Sequence, residues 1–179
     1  VVPLKVRIDN QEYLDGETIT HSEFYEKLKK AKEFPTTSQP TPEQFLKYFE
    51  EAKQNQETVI AILISGKLSG TVQSAKIAKE LSGYDDIYVI DSLNTITGLR
   101  LLVEYAVKLK NEGKSAIDIV DTIEEAKQRV VLNAFVNTLD YLHKGGRLSK
   151  ASAVIGTILN IKPLIYLKDG KLGVCGKAR

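Results

Sequence analysis

The stretch Thr58-Val59-Ile60-Ala61-Ile62-Leu63-Ile64, followed at once by Ser65-Gly66-Lys67-Leu68-Ser69-Gly70-Thr71, decides the fold class of this chain. A continuous β-branched apolar run bounded by a glycine-serine turn is the pattern of a strand covered on both faces in a parallel sheet. Working outward, Thr71 to Leu81 has helical spacing, Ile87 to Ile90 is a second short buried strand, and Leu93 to Asn111 is a long helix stopped by Gly113. Ser115 and Asp118 open a helix over Ile117 to Arg129, and Val130 to Val136 is predicted as a third buried strand. Strand, helix, strand, helix, strand is the order of an α/β fold with right-handed crossovers.

Upstream of this unit, Val1 to Ile8 reads as a strand, with Asp9-Asn10 and Asp15-Gly16 punctuating a hairpin-like excursion. Thr20 and Glu23 have capping-box spacing ahead of Phe24, Leu28 and Ala31 on one helical face. Phe34 to Pro42 interrupts regular structure, and Thr41, Pro42 and Gln44 restart a helix whose buried stripe is Phe45, Leu46 and Phe49. Downstream, Gly145-Gly146 precede a helix predicted from about Ser149 to Leu159, and Asp169-Gly170 turn a final hairpin.

Composition sets the outer bounds. The 179 residues are 42% hydrophobic and 27% charged, which excludes collagen-like, low-complexity and disulfide-scaffold classes. Val59 to Ile64 is the longest apolar run, far short of the roughly 20 residues that span a bilayer. With Cys175 as the single cysteine an internal disulfide is excluded, so a reducing cytoplasm is the expected setting and Cys175 is expected to be structural. There is no methionine, and Val1 to Val6 reads like the middle of a domain, so the chain is expected to be a piece of something longer. Residues 144–179 carry 8 Lys and Arg against Asp169 alone, whereas residues 1–60 carry 8 against 11 acidic residues. A basic end suits a phosphorylated ligand or an acidic partner. Nucleic acid is not expected, because only Tyr166 interleaves an aromatic ring with those basic residues.

Three loops carry residue types with chemistry in them. Pro35-Thr36-Thr37-Ser38-Gln39-Pro40 holds hydroxyls that either close turn hydrogen bonds or meet a ligand. The Ser65–Thr71 loop, between a strand and a helix, gathers backbone N–H groups, hydroxyls and a helix N-terminus; this suits an anionic oxygen, while the alternative is that Ser69 merely caps the helix. It is neither a Walker A loop nor a nucleophile elbow. Lys144-Gly145-Gly146-Arg147-Leu148-Ser149-Lys150 offers a guanidinium fork on a tight turn, or else a solvated basic turn after a helix. Asp91-Ser92, at a strand end, either orients the neighbouring loops or touches ligand. His21 and His143 have no Ser/Asp partners in the pattern, and no Cys/His cluster has zinc spacing, so no metal site is expected; His21 reads as a surface residue at a helix start.

Thr37-Ser38-Gln39-Pro40, Lys67 to Ala75 (K-L-S-G-T-V-Q-S-A), Ile90-Asp91-Ser92 and Lys144 to Ala151 (K-G-G-R-L-S-K-A), in this order and spacing, resemble the DegV family of fatty-acid-binding proteins along nearly the whole chain. The resemblance implies an α/β parallel-sheet sandwich, with a DegV-like first domain over 1–143 lacking its first strand and a second α/β domain, over 144–179, only partly present. It implies one long-chain fatty acid in an apolar tunnel, whose carboxylate is presented to a separate fatty acid kinase subunit and phosphorylated to acyl phosphate. Carried over by motif, Thr37 and Ser69 hydrogen-bond the carboxylate, with Ser38, Gly70 and Thr71 beside them. Arg147 then sits at the tunnel mouth near the phosphoryl group or the kinase, and Asp91, Ser92 and Gly146 support the site. On this reading the chain is a cytoplasmic lipid-binding protein, not an enzyme. It has no catalytic residue or cofactor of its own, and it touches membranes peripherally for lipid exchange. Three departures stand out: a T-D-S turn before Val1 and about a hundred residues after Arg179, including a histidine, are absent from the sequence, and Val72 replaces a common tyrosine. The reading from another class is a small-molecule phosphotransferase or hydrolase with the Ser69 loop as anion cradle.

Overall fold

Alternate residues of a strand face opposite sides of its sheet, so an unbroken apolar run is stable only where both sides are covered. The computed structural model describes residues 1–148 and 162–178. They form β1 (Lys5–Ile8), β2 (Gln11–Leu14), α1 (His21–Lys30), β3 (Thr36–Ser38), α2 (Pro42–Gln54), β4 (Val59–Leu63), α3 (Thr71–Ser82), β5 (Ile87–Asp91), α4 (Ile96–Asn111), α5 (Ala116–Ala126), β6 (Leu132–Phe135), α6 (Asp140–Lys144), β7 (Lys162–Lys168) and β8 (Lys171–Ala178).

β4 and β5 pair in parallel, from Val59 opposite Ile87 to Leu63 opposite Asp91. On one face Val59, Ala61, Leu63, Ile87 and Val89 pack against Phe45 and Phe49 of α2 and Ala75 and Ala78 of α3. On the other, Ile60, Ile62 and Ile90 pack against Leu102 and Leu109 of α4 and Ile119 and Ile123 of α5. This is the expected α/β sandwich, helices on both sides of a parallel pair. Burying each large side chain contributes roughly 1.5–3 kcal/mol, which makes Phe45 and Phe49 principal anchors of the first face.

The two predicted capping boxes carry their side-chain hydrogen bonds. The Glu23 carboxylate accepts the Thr20 backbone N–H at 2.8 Å, the Thr20 hydroxyl accepts the Glu23 N–H at 3.2 Å, and the Gln44 side chain accepts the Thr41 N–H at 3.0 Å. His21 is exposed at the start of α1.

Two antiparallel sheets flank this unit. β2-β1-β3 is built on the Asp9-Asn10 hairpin, and β3 runs antiparallel to β1 with Thr37 opposite Val6. The prolines at 35 and 40 bracket a short strand, where a loop without regular structure was expected. The second sheet, β6-β7-β8, corrects another expectation. The segment predicted as a third buried strand pairs antiparallel with β7, Leu132 opposite Leu167. Only Leu132 of β6 is buried, whereas Asn133 and Phe135 face solvent. A polar residue in mid-strand suits a one-sided antiparallel sheet and not a parallel one covered twice. β7 and β8 close on Asp169-Gly170, both at positive φ, as a two-residue hairpin turn requires. The helix predicted over 149–159 lies outside the described residues.

α4 begins at Ile96, not Leu93. The Ser92 hydroxyl accepts the Asn94 N–H at 3.0 Å and donates to the Asn94 carbonyl at 3.1 Å, and this local turn takes up the residues before the helix. Among the described residues no helix is long and apolar enough to cross a membrane. Cys175 is exposed on β8.

Candidate functional site

The Ser65–Thr71 loop leaves β4 pinned on three sides. The fully buried Ser65 hydroxyl donates to the Gly170 carbonyl at 2.8 Å and accepts the Lys67 N–H at 3.2 Å, tying the loop to the β7–β8 turn. Leu68 is buried with Leu132 and Leu167, so one apolar side chain roots the loop in the β6-β7-β8 sheet. Both carboxylate oxygens of Asp91 lie 3.2 Å from the Gly66 nitrogen, and one accepts the Leu93 N–H at 2.9 Å. Asp91 thus bonds the loops after β4 and β5, and Ser92 bonds the turn before α4. A Cβ at Gly66 would fall 2.9 Å from an Asp91 oxygen, so a larger residue here would push the Asp91 carboxylate aside.

What the loop presents is a pair of hydroxyls at the start of α3. Ser69 Oγ and Thr71 Oγ1 are 2.8 Å apart, and the Thr71 N–H points at Ser69 Oγ at 3.4 Å. Each hydroxyl has one proton, so the pair uses one between its members and keeps the other to donate outward. The N-cap is Gly70, which has no side chain to cap the first turn, and the N-terminal N–H groups add positive potential. This arrangement suits a carboxylate or phosphate oxygen. It is poor for nucleophilic catalysis, because the partner of Ser69 is another hydroxyl and the Asp91 carboxylate is committed to backbone donors.

Gln39, just after β3, and the Lys144–Arg147 turn both meet this loop. The Gln39 carboxamide donates to Ser74 Oγ at 3.1 Å and lies so close over Gly70 that a Cβ there would come within 2.6 Å of its carbon. Arg147 Nε donates to the Leu68 carbonyl at 3.1 Å, and its Nη1 to the Gly145 carbonyl at 2.6 Å. Arg147 is thus exposed and bonded to the residue before Ser69. Gly146 turns the chain at φ +73°, with open space where a side chain would stand. Thr37 and Ser38 are exposed on β3, immediately before Gln39.

Three positioning residues escaped the sequence reading: Gln39, Ser65 and Gly170. Gln39 and Ser65 lay inside the quoted loops, but their role depends on partners 35 and 105 residues away. Nothing local in Asp169-Gly170 marks more than a hairpin turn. Two surface clefts, one along α2 and one beside Asn94, Lys127 and Tyr166, are lined by neither Thr37, Ser69 nor Arg147. Among the described residues no cluster of His, Cys, Asp and Glu could hold a metal ion.

The family model described as "Uncharacterised protein, DegV family" matches residues 1–179. The chain belongs to the DegV family. A DegV domain-containing protein of Caldanaerobacter subterraneus subsp. tengcongensis is 42% identical over 179 residues, covering all of this chain and 64% of the relative. Among solved structures, a fatty-acid-binding DegV family protein from Thermus thermophilus has a TM-score of 0.88 at 39% identity, over 99% of this chain and 63% of that one. The Streptococcus pneumoniae Fatty Acid Kinase (Fak) B3 protein, loaded with linoleic acid, has a TM-score of 0.87 at 30% identity, over 99% of this chain and 64% of that one. The chain thus spans under two thirds of the length of the DegV relatives it matches, and the resemblance seen in the four motifs extends to the fold.

Proposed function

We propose that this DegV chain is part of a carrier that binds one long-chain fatty acid and presents its carboxylate to a separate kinase subunit. The observation that carries the reading is the convergence on one corner: Gln39 packs on Gly70 while Arg147 bonds the Leu68 carbonyl, so the other two loops singled out in the sequence meet the loop that carries the Ser69–Thr71 hydroxyl pair. The fatty acids bound by the Thermus and Streptococcus relatives support the same ligand class.

On this reading the Ser69–Thr71 pair donates its one outward proton to the carboxylate at the start of α3, and Thr37 approaches from β3 with Ser38 beside it. Hydroxyl and amide donors stabilise the anion without a salt bridge across both oxygens, so one oxygen stays free to act as nucleophile. That oxygen forms the new bond to phosphorus as the phosphate donor's leaving group departs on the partner subunit, and the product is an acyl phosphate. Arg147, held at the edge of the loop, is placed to meet charge developing on the transferred phosphoryl. The acyl chain supplies the affinity, at about 0.8 kcal/mol per buried methylene.

Native mass spectrometry of the full gene product, followed by lipid extraction, tests the assignment. One long-chain fatty acid per protein is the expected result; a protein that carries none and takes none up from solution overturns it.

A further inference from the structure

A contact outside the four motifs closes the circle of loops. Phe34, two residues before β3, stacks on Tyr141 of α6 with ring centroids 5.7 Å apart and planes at 34°. The Lys144 ammonium sits 5.6 Å from the centre of the Phe34 ring. Neither ring belongs to a core: Phe34 is 36% and Tyr141 53% exposed. The link runs on in both directions. The Tyr141 carbonyl accepts the Gly145 N–H at 2.9 Å, the Gly145 carbonyl accepts Arg147, and Arg147 bonds the Leu68 carbonyl beside Ser69. From Phe34, Pro35 leads into Thr37 and then Gln39, which returns to α3 through Ser74 and Gly70. The chain of contacts from Thr37 to Arg147 is therefore closed at the surface by one aromatic pair.

We propose that Phe34 and Tyr141, steadied by Lys144, form a clasp that holds the Thr37 strand against the Arg147 turn and so governs how fast a fatty acid leaves the Ser69 corner. The inference rests on the fatty-acid reading above and makes both rings positioning residues, not ligand contacts. Tilted rings with a cation over one face attract specifically, but rings this exposed separate at little cost, so the clasp opens while the Val6 cluster of β1 and the Leu139–Leu142 cluster of α6 stay packed. Opening frees β3 and α6 to part at the end where the carboxylate sits. Release is then limited by parting of the clasp, and a variant without either ring has lost that limit.

The test uses the full gene product loaded with cis-parinaric acid, whose fluorescence falls as it transfers to phosphatidylcholine vesicles in a stopped-flow experiment. Phe34→Ala and Tyr141→Ala are each expected to speed release about tenfold, and the double variant to be no faster than either alone, because each single change already removes the pair. Tyr141→Phe keeps the ring and is expected to release at the parent rate, which a role for the hydroxyl would not allow. Phe34→Leu and Tyr141→Leu replace any alanine variant that fails to fold. Unchanged release rates, multiplicative effects in the double variant, or fast release by Tyr141→Phe would each overturn the clasp alone. A parent protein that takes up no parinaric acid overturns the fatty-acid reading, and the clasp with it.

Discussion

Replacing Asp91 by alanine isolates what the end of β5 does for the loop after β4. The carboxylate serves two backbone donors, the N–H groups of Gly66 and Leu93, with contacts of 3.2 and 2.9 Å. Hydrogen bonds to a charged acceptor contribute about 1.5–3 kcal/mol each, and Asp91 is half-buried, so water replaces part of what is lost. The expected cost of Asp91→Ala is therefore about 2–3 kcal/mol, a fall in Tm of roughly 5–10 °C for a chain of this size. Asp91→Asn keeps one acceptor oxygen and is expected to lose about half as much. Urea denaturation followed by circular dichroism gives the free energy, and fatty-acid affinity measured on the folded variants tells loop support from ligand contact. A stability change within about 0.5 kcal/mol of zero, the range of ordinary surface substitutions, would refute the latch. So would full stability combined with lost affinity, which would return Asp91 to the ligand.

Ser69→Ala and Thr37→Ala are each expected to weaken fatty-acid binding by about 1–3 kcal/mol with folding retained, since each removes a donor from the carboxylate; isothermal titration that finds both affinities unchanged sinks the assignment. Arg147→Ala is expected to lower acyl-phosphate formation by a reconstituted kinase about tenfold or more, with little change in affinity, and Arg147→Lys to recover only part of the rate because an ammonium lacks the guanidinium fork. If the loaded alanine variant is phosphorylated at the parent rate, the arginine acts on binding alone. Glu23 provides a pH signature: the Thr20 backbone and hydroxyl donors hold its carboxyl below the ordinary glutamate value. A depressed pKa stabilises the fold above the unfolded value, and that contribution is lost as pH falls through the folded one. An NMR titration should show the Thr20 amide shifting with a midpoint below the ordinary glutamate value, and should show no such step in Glu23→Gln.

The parts of the fold that were legible rest on patterns a few residues long. Val59 to Ile64 announces a strand covered twice, Thr20-Glu23 and Thr41-Gln44 announce helix starts, and Asp169-Gly170 announces a tight turn. The partner of β6 was not legible: Val130 to Val136 is apolar enough for a parallel strand, and Asn133, the residue that argues against one, is a single polar side chain in that run. The start of α4 was misread because Leu93 looks helical, while it sits at positive φ inside the Ser92–Asn94 turn. At the candidate site, the hydroxyl, glycine and arginine positions were visible as motifs. Their assembly was not, because it depends on Gln39 reaching Ser74, Arg147 reaching Leu68 and Ser65 reaching Gly170, contacts between segments that no local periodicity relates.

The bond from Ser65 to Gly170 joins residues 105 positions apart. At synthesis rates of about 5–20 residues per second, a ribosome needs roughly 5–20 seconds to pass from one to the other. During that interval β4 and β5 can pair and their helices can dock. Leu68 meanwhile lacks Leu167, and the Ser65 hydroxyl lacks its acceptor. The nascent protein therefore acquires its sandwich early, and the Ser65–Thr71 loop gains its last supports late, only once the β7–β8 hairpin has been made.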